Sequence, residues 1–248
     1  MSGKSNNSRK IGGTEAIVRP YCLVDVVIFT IIKGRLRVLL VRRPDRPDDP
    51  FPGHWALPGG FLDVARDATL EDAARWKLKE KTGVEWGYLE QLGSFGSRDR
   101  DPRGWSVTTV YFALIPSEGV VLEAGGNAGD AEWCLIGRNR AVDIPLAFDH
   151  KRLLDAALTR LRNKVEYTSL PVHLLPAEFT LPDLQRTFEI VLGREVDKSA
   201  FRTRILSAGF LEETGEVRTD TNRPAKLYRM VKGREAVVFP RTFYGKKG

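Results

Sequence analysis

The sequence predicts an α/β or α+β domain followed by a smaller domain of two helices and a β-ribbon. Three observations carry this. Apolar, β-branched runs and two helical segments share the chain up to about Arg162, and beyond it the order changes to helix, short connection, helix and paired strands. Charge divides near the same place: residues 1–150 hold 20 Lys/Arg and 20 Asp/Glu, whereas residues 151–248 hold 19 and 12. A neutral front and a basic back predict two tasks, the second involving a polyanion.

Residues 1–16, rich in Ser, Asn, Gly and Lys, are expected to be disordered. "LVDVVIFTII" and "RLRVLLVRR" read as strands around the turn signal "KGR", Lys33 to Arg35. After the Pro/Asp-rich "PDRPDDPFPGHW", a helix is expected over Leu70–Thr82. Thr69 would cap it with Asp72 three residues on, and Gly83 would close it. "YLEQLGSFG", "VTTVYFALIP" and "AEWCLI" read as strands. "FDHKRLLDAALTRLRNKV" is an amphipathic helix with Leu153, Leu154, Ala157, Leu158 and Leu161 on one face. This places the first domain at residues 17–163 and the second at 164–248.

In the second domain "TLPDLQRTFEIVLG" opens at Thr180 with Asp183 three on, closes at Gly193, and should bury Leu184, Phe188, Val191 and Leu192. "DKSAFRTRILSAG" follows, capped by Asp197 and ended by Gly209, with Phe201, Ile205 and Leu206 inward. Strands are expected around "FLEE" and "AKLYRMV". That order is a winged helix-turn-helix.

Cys22 and Cys134 have no metal-ligand spacing and are too few for a disulfide framework, which fits a reducing cytoplasm. The polar N-terminus has no signal-peptide core, and "YCLVDVVIFTII", broken by Asp25, is too short for a membrane span. A cytoplasmic protein without membrane partners is expected.

"WALPGGFLD" followed by "ARWKLKEKTGV" resembles the Nudix box, the signature of hydrolases that cleave nucleoside diphosphates linked to another group. In that box an Arg-Glu-aliphatic-x-Glu-Glu-x-Gly run, with one earlier Glu, projects carboxylates from one helix face to hold Mg²⁺ on a pyrophosphate. Aligned on "KTGV", the Arg slot here is Trp76, the next Glu slot is Lys77, and the Glu pair is Glu80 and Lys81. The earlier Glu slot falls on Ala68, or on Arg66 without a gap. Lysines on a helix ordinarily make a solvated face. Retention of the LPGGF loop, the Thr69 cap and the KTGV end argues instead for a binding pocket stripped of its metal ligands.

"EQLGSFGSRDRDPRGWSVTTVYFALIP" is similar to the matching segment of Nudix-related transcriptional regulators of NAD metabolism. "FTLPDLQRTFEIVLGREVDKSAFRTRILSAGFLEETGE" with "RPAKLYRM" resembles their winged helix. The resemblance covers roughly residues 20–235. It implies a Nudix-like α/β/α sandwich with a mixed sheet, followed by a winged helix-turn-helix domain. It also implies repression of NAD-biosynthesis genes from palindromic operator DNA by a homodimer, with ADP-ribose, NAD or a related adenine nucleotide as effector and no cofactor or metal.

The effector pocket is expected to draw on Arg42, Trp55, Leu57, Gly59, Gly60, Phe61, Lys77, Lys81, Phe95, Arg98, Arg100, Arg103 and Trp105. Arginine forks match phosphate oxygens, and Trp55, Phe95 and Trp105 offer rings for an adenine or a ribose. On the DNA side, Lys198, Ser199, Arg202 and Arg204 of the second helix are expected to read bases or phosphates. Arg218, Asn222, Arg223 and Lys226 of the wing would grip phosphate or enter the minor groove. Two rival readings remain. One is an active Nudix pyrophosphatase with a metal site built from Glu71, Asp72, Glu80 and Glu85. The other is a nucleotide-gated module whose tail meets a protein.

Overall fold

The computed structural model describes residues 19–85, 87–118, 120, 131–137, 142–219, 224–233, 236–240 and 242–243. The disorder expected for residues 1–16, and the wing residues Asn222 and Arg223, lie outside them.

Strands β1 (Tyr21–Ile32) and β2 (Arg35–Arg42) form a hairpin. Lys33 and Gly34 turn the chain with φ of 51° and 68°, the positive pair that a type I′ turn requires. β1 pairs parallel with β6 (Ser106–Leu114), which runs antiparallel to β5 (Tyr88–Ser97). β2 is flanked by β3 (Trp55–Ala56) and β7 (Ala131–Leu135), and β4 (Gly59–Phe61) pairs with β1. The result is a mixed seven-stranded sheet.

β1 is buried on both faces, which is why it reads as a continuous apolar run rather than an alternating one. Val24, Val26 and Ile28 meet Ala73, Ala74 and Leu78 of helix α1 (Leu70–Thr82). Val27 and Phe29 share a core with Leu153, Leu154, Ala157, Leu158 and Leu161 of helix α2 (His150–Val165). Helices on opposite faces make the α/β/α sandwich. Helix α1 has the expected capping box between Thr69 and Asp72, and Gly83 closes it at φ 68°.

A short 3-10 helix (Leu170–Leu174) leads into β8 (Phe179–Thr180), helices α3 (Leu181–Leu192) and α4 (Lys198–Ser207), and strands β9 (Leu211–Arg218) and β10 (Ala225–Met230). The strands order as β8-β10-β9, a winged helix-turn-helix in which β8 and the returning C-terminal residues Phe239 and Phe243 were not foreseen. Helix α3 has its Thr180–Asp183 capping box and ends at Gly193 in the left-handed region. Leu192 is only half-buried, and Thr187 takes part in the inward stripe instead.

The division expected after residue 163 falls inside the last turn of α2. One hydrophobic core runs from Val27 and Phe112 through Leu161 and Val165 to Phe188, Phe201 and Phe243. No described helix is long and apolar enough to cross a membrane.

Candidate functional site

A cavity of about 610 Å³ opens between the sheet, the N-terminal end of α2 and the outer face of α1. This is within the range of nucleotide-sized sites. Of the residues expected there, Arg42, Leu57, Gly59, Gly60, Phe61, Lys77, Lys81, Arg100 and Arg103 line it.

The glycine pair admits the polar floor. A Cβ on Gly59 would stand 1.8 Å from Asp25 Oδ1 and 2.9 Å from the Val24 carbonyl, so only glycine lets β4 pass over Asp25. Asp25 is buried beside Arg100 and His150. Arg100 Nη2 lies 3.7 Å from Asp25 and 3.0 Å from Asp149, and its Nη1 donates to Ser106 Oγ at 3.2 Å. The Leu57 amide donates to His150 Nδ1 at 2.9 Å, which leaves the imidazole proton on Nε2, facing Asp25 at 3.8 Å. Burial holds His150 below its ordinary pKa of 6.5 against the pull of Asp25, so the ring is neutral. Two more arginines on the wall are held by carboxylates: Arg43 by Asp49 at 2.6 and 2.8 Å, and Arg103 by Asp101 at 2.7 and 2.9 Å.

Helix α1 supplies the remaining wall. Glu80 sits between Lys81 at 3.2 Å and Lys77 at 3.6 Å. Burial lowers the Lys77 pKa, Glu80 offsets part of the shift, and Arg66 and Lys81 add to it. The other carboxylates offered for a metal site are engaged elsewhere: Glu71 with Arg75, Asp72 in the Thr69 cap, and Glu85 with Lys79. One carboxylate clasped by two ammonium groups does not suit Mg²⁺, which needs several oxygen ligands and is repelled by both lysines. Among the described residues no cluster of three or more His, Cys, Asp or Glu is placed to hold a metal ion.

Four expected effector residues lie away from the wall. Trp55 and Phe95 pack on the main hydrophobic core, because strands β3 and β5 direct them to the α2 face of the sheet. Trp105 is exposed, its ring end 3.0 Å from where a Cβ of Gly96 would be. Arg98 is exposed just beyond β5. Among the described residues, the Phe and Trp rings that do reach the cavity are Phe61, Trp76 and Phe148, beside the His150 imidazole. Sequence reasoning missed Asp25, Arg43, Asp49, Phe148 and His150, and read Trp76 only as a lost arginine.

On the winged helix, Lys198, Ser199 and Arg202 face outward from α4 as expected. Arg204 does not. Its guanidinium stacks 4.1 Å from the Phe243 ring, and Leu206 turns out in its place, 44% exposed. The returning C-terminal segment, not foreseen, provides the aromatic surface that draws Arg204 in. In the wing, Arg218 is tied to Asp183 at 2.8 Å and Lys226 to Glu213 at 2.8 and 3.1 Å.

A Nudix-type sandwich with a cation-rich cavity, joined to a winged helix-turn-helix, defines a two-domain class in which one half is built for small anions and the other for duplex DNA. The comparisons agree with that division. The NUDIX domain family matches residues 23–157, and the NrtR DNA-binding winged helix domain family matches residues 171–230. The chain is 43% identical over 222 residues to the ADPR responsive transcriptional repressor NtrR of Acinetobacter baylyi, covering 90% of this chain and 86% of that protein. It superposes on the crystal structure of Shewanella oneidensis NrtR complexed with a 27mer DNA with a TM-score of 0.80 and 38% identity, covering 90% of this chain and 99% of that one. Its first domain matches the NUDIX domain of the same Shewanella oneidensis protein complexed with ADP ribose, with a TM-score of 0.52 and 40% identity, covering 58% of this chain and 90% of that one. The chain belongs to the family of Nudix-related transcriptional regulators that carry an NrtR-type winged helix.

Proposed function

We propose that the protein is a DNA-binding repressor of NAD-biosynthesis genes. In this reading residues 17–163 sense ADP-ribose or a related adenine nucleotide without hydrolysing it, and residues 164–248 hold the operator. The observation that carries this is Glu80, clasped by Lys77 and Lys81 on the cavity wall. Two ammonium groups favour a pyrophosphate and disfavour the cation that would activate water against it. The relative from Acinetobacter baylyi is described as an ADPR-responsive repressor, which supports ADP-ribose as the effector.

Operator binding by a two-fold homodimer would set the two α4 helices on half-sites one or two duplex turns apart, about 34 Å per turn. By linkage, an effector that weakens DNA binding is itself bound more weakly by the DNA complex.

The test is a gel-shift series on a palindromic promoter fragment at physiological salt, run with and without ADP-ribose, beside a parallel assay for AMP in the presence of Mg²⁺. Specific binding that ADP-ribose releases, with no AMP formed, is the expected result. AMP production that disappears in Glu80→Gln would establish a pyrophosphatase instead.

A further inference from the structure

We propose that Trp76 is the stacking platform for the aromatic base of the nucleotide effector, with Arg66 bracing the indole. This deepens the reading of the cavity as a nucleotide site and rests on it.

The three Phe and Trp rings that reach the cavity differ in what already covers them. Phe148 packs against Phe51 at 4.6 Å and His150 at 5.3 Å between ring centroids, and the guanidinium groups of Arg43 and Arg103 lie over it. Phe61 meets the Tyr21 ring at 5.5 Å and Arg103 at 5.0 Å. Trp76 has no ring partner among the described residues. Its contacts are cations: the Arg66 guanidinium carbon at 3.7 Å and Lys77 Nζ at 4.7 Å from the ring centroid.

The two cations play different parts. Arg66 is fixed by a bidentate pair with Asp67 at 2.6 and 2.8 Å and is not among the residues that line the cavity, which suits it to a fixed support. Lys77 lines the cavity and shares Glu80 with Lys81. Lys77 is therefore the movable cover, and a phosphate entering between the two lysines draws it away from the indole. Lys77 Nζ stands 4.7 Å from the centre of the Trp76 ring, which places the ring on the same stretch of wall as the group expected to take phosphate. Trp76 is 36% exposed, and its indole is the largest aromatic ring among the described residues that line the cavity. The same helix position that in the Nudix box carries an arginine here carries a flat surface for a base.

Base–aromatic stacking is worth enough to be read as roughly a tenfold change in affinity. The experiment uses the full chain, titrated with ADP-ribose and, separately, with inorganic pyrophosphate, which has the charge but no base. Calorimetry gives affinity and tryptophan fluorescence reports stacking. Expected are quenching of the wild-type protein by ADP-ribose, Trp76→Phe binding within about threefold of wild type with that quenching lost, and Trp76→Leu weaker by about tenfold for ADP-ribose but unchanged for pyrophosphate. Quenching that survives in Trp76→Phe overturns the proposal, as does Trp76→Leu binding ADP-ribose like wild type or losing both ligands equally. Wild-type protein that binds no ADP-ribose would instead bring down the nucleotide reading itself, a pattern none of the variant outcomes reproduces.

Discussion

Arg100 and Asp149 join the loop after β5 to the residue that opens α2: Nη2 lies 3.0 Å from Oδ1 and Nε 3.3 Å from Oδ2. The arginine side chain is 4% exposed and the aspartate 16%. Removing the Asp149 carboxylate leaves the buried guanidinium with only Asp25 and the Ser106 hydroxyl. Asp149→Ala is expected to cost about 3 kcal/mol of unfolding free energy, read by denaturant titration. A loss under about 0.5 kcal/mol would mean that water replaces the carboxylate freely.

Nucleotide affinity should fall at alkaline pH. Burial holds the Lys77 pKa below its ordinary 10.5, and an anionic ligand raises it, so binding takes up protons. The favourable contribution is fully present below the unliganded pKa and is lost as pH rises through the liganded one. Calorimetry in buffers of different ionisation enthalpy checks the uptake, and Lys77→Met should abolish it.

Acid should weaken the fold before the carboxylates titrate. His173, packed on Tyr88 with ring centroids 5.0 Å apart, is pushed down to about 4 by burial. A folded pKa below the unfolded 6.5 gives stability that is present above pH 6.5 and lost as pH falls towards 4. The full loss is about 3 kcal/mol. His150 adds to the slope in the same sense. Unfolding curves of wild type and His173→Gln between pH 7.5 and 5 should diverge, with the variant flatter.

For DNA, Arg202→Ala on the outer face of α4 should lose operator selectivity, whereas Lys226→Ala should mainly lower the salt slope, by up to about 0.9. The Glu213 carboxylate competes with phosphate for Lys226, so Glu213→Gln should steepen the slope and tighten binding to any duplex. A salt series of affinities separates the three variants.

Sequence periodicity and capping chemistry located helices α1 to α4 because each is specified by neighbours in the chain: α1 and α3 by Thr69 with Asp72, Thr180 with Asp183 and a glycine at each C-terminal end, α4 by Asp197, and α2 by the spacing of its leucines. What lay outside that range was set by contacts between distant segments. Residues Trp55 and Phe95 look like ligand-stacking rings until strand pairing turns them to the core. Arg204 and Leu206 exchange places because Phe243, some forty residues later, offers a ring to the guanidinium. The lysines and glycines of the cavity were legible because they depart from or keep to a known spacing. Asp25 and His150 were not, since they meet only when β1 and the start of α2 close around Gly59.

Helix α2 has its first residue in the cavity and its last buried in the core that holds Phe188 and Phe243. A rod anchored at both ends leaves no slack between sensor and reader. Heating should therefore melt the two halves in one calorimetric peak, and a ligand that stiffens the cavity should carry the winged helix up in temperature with it.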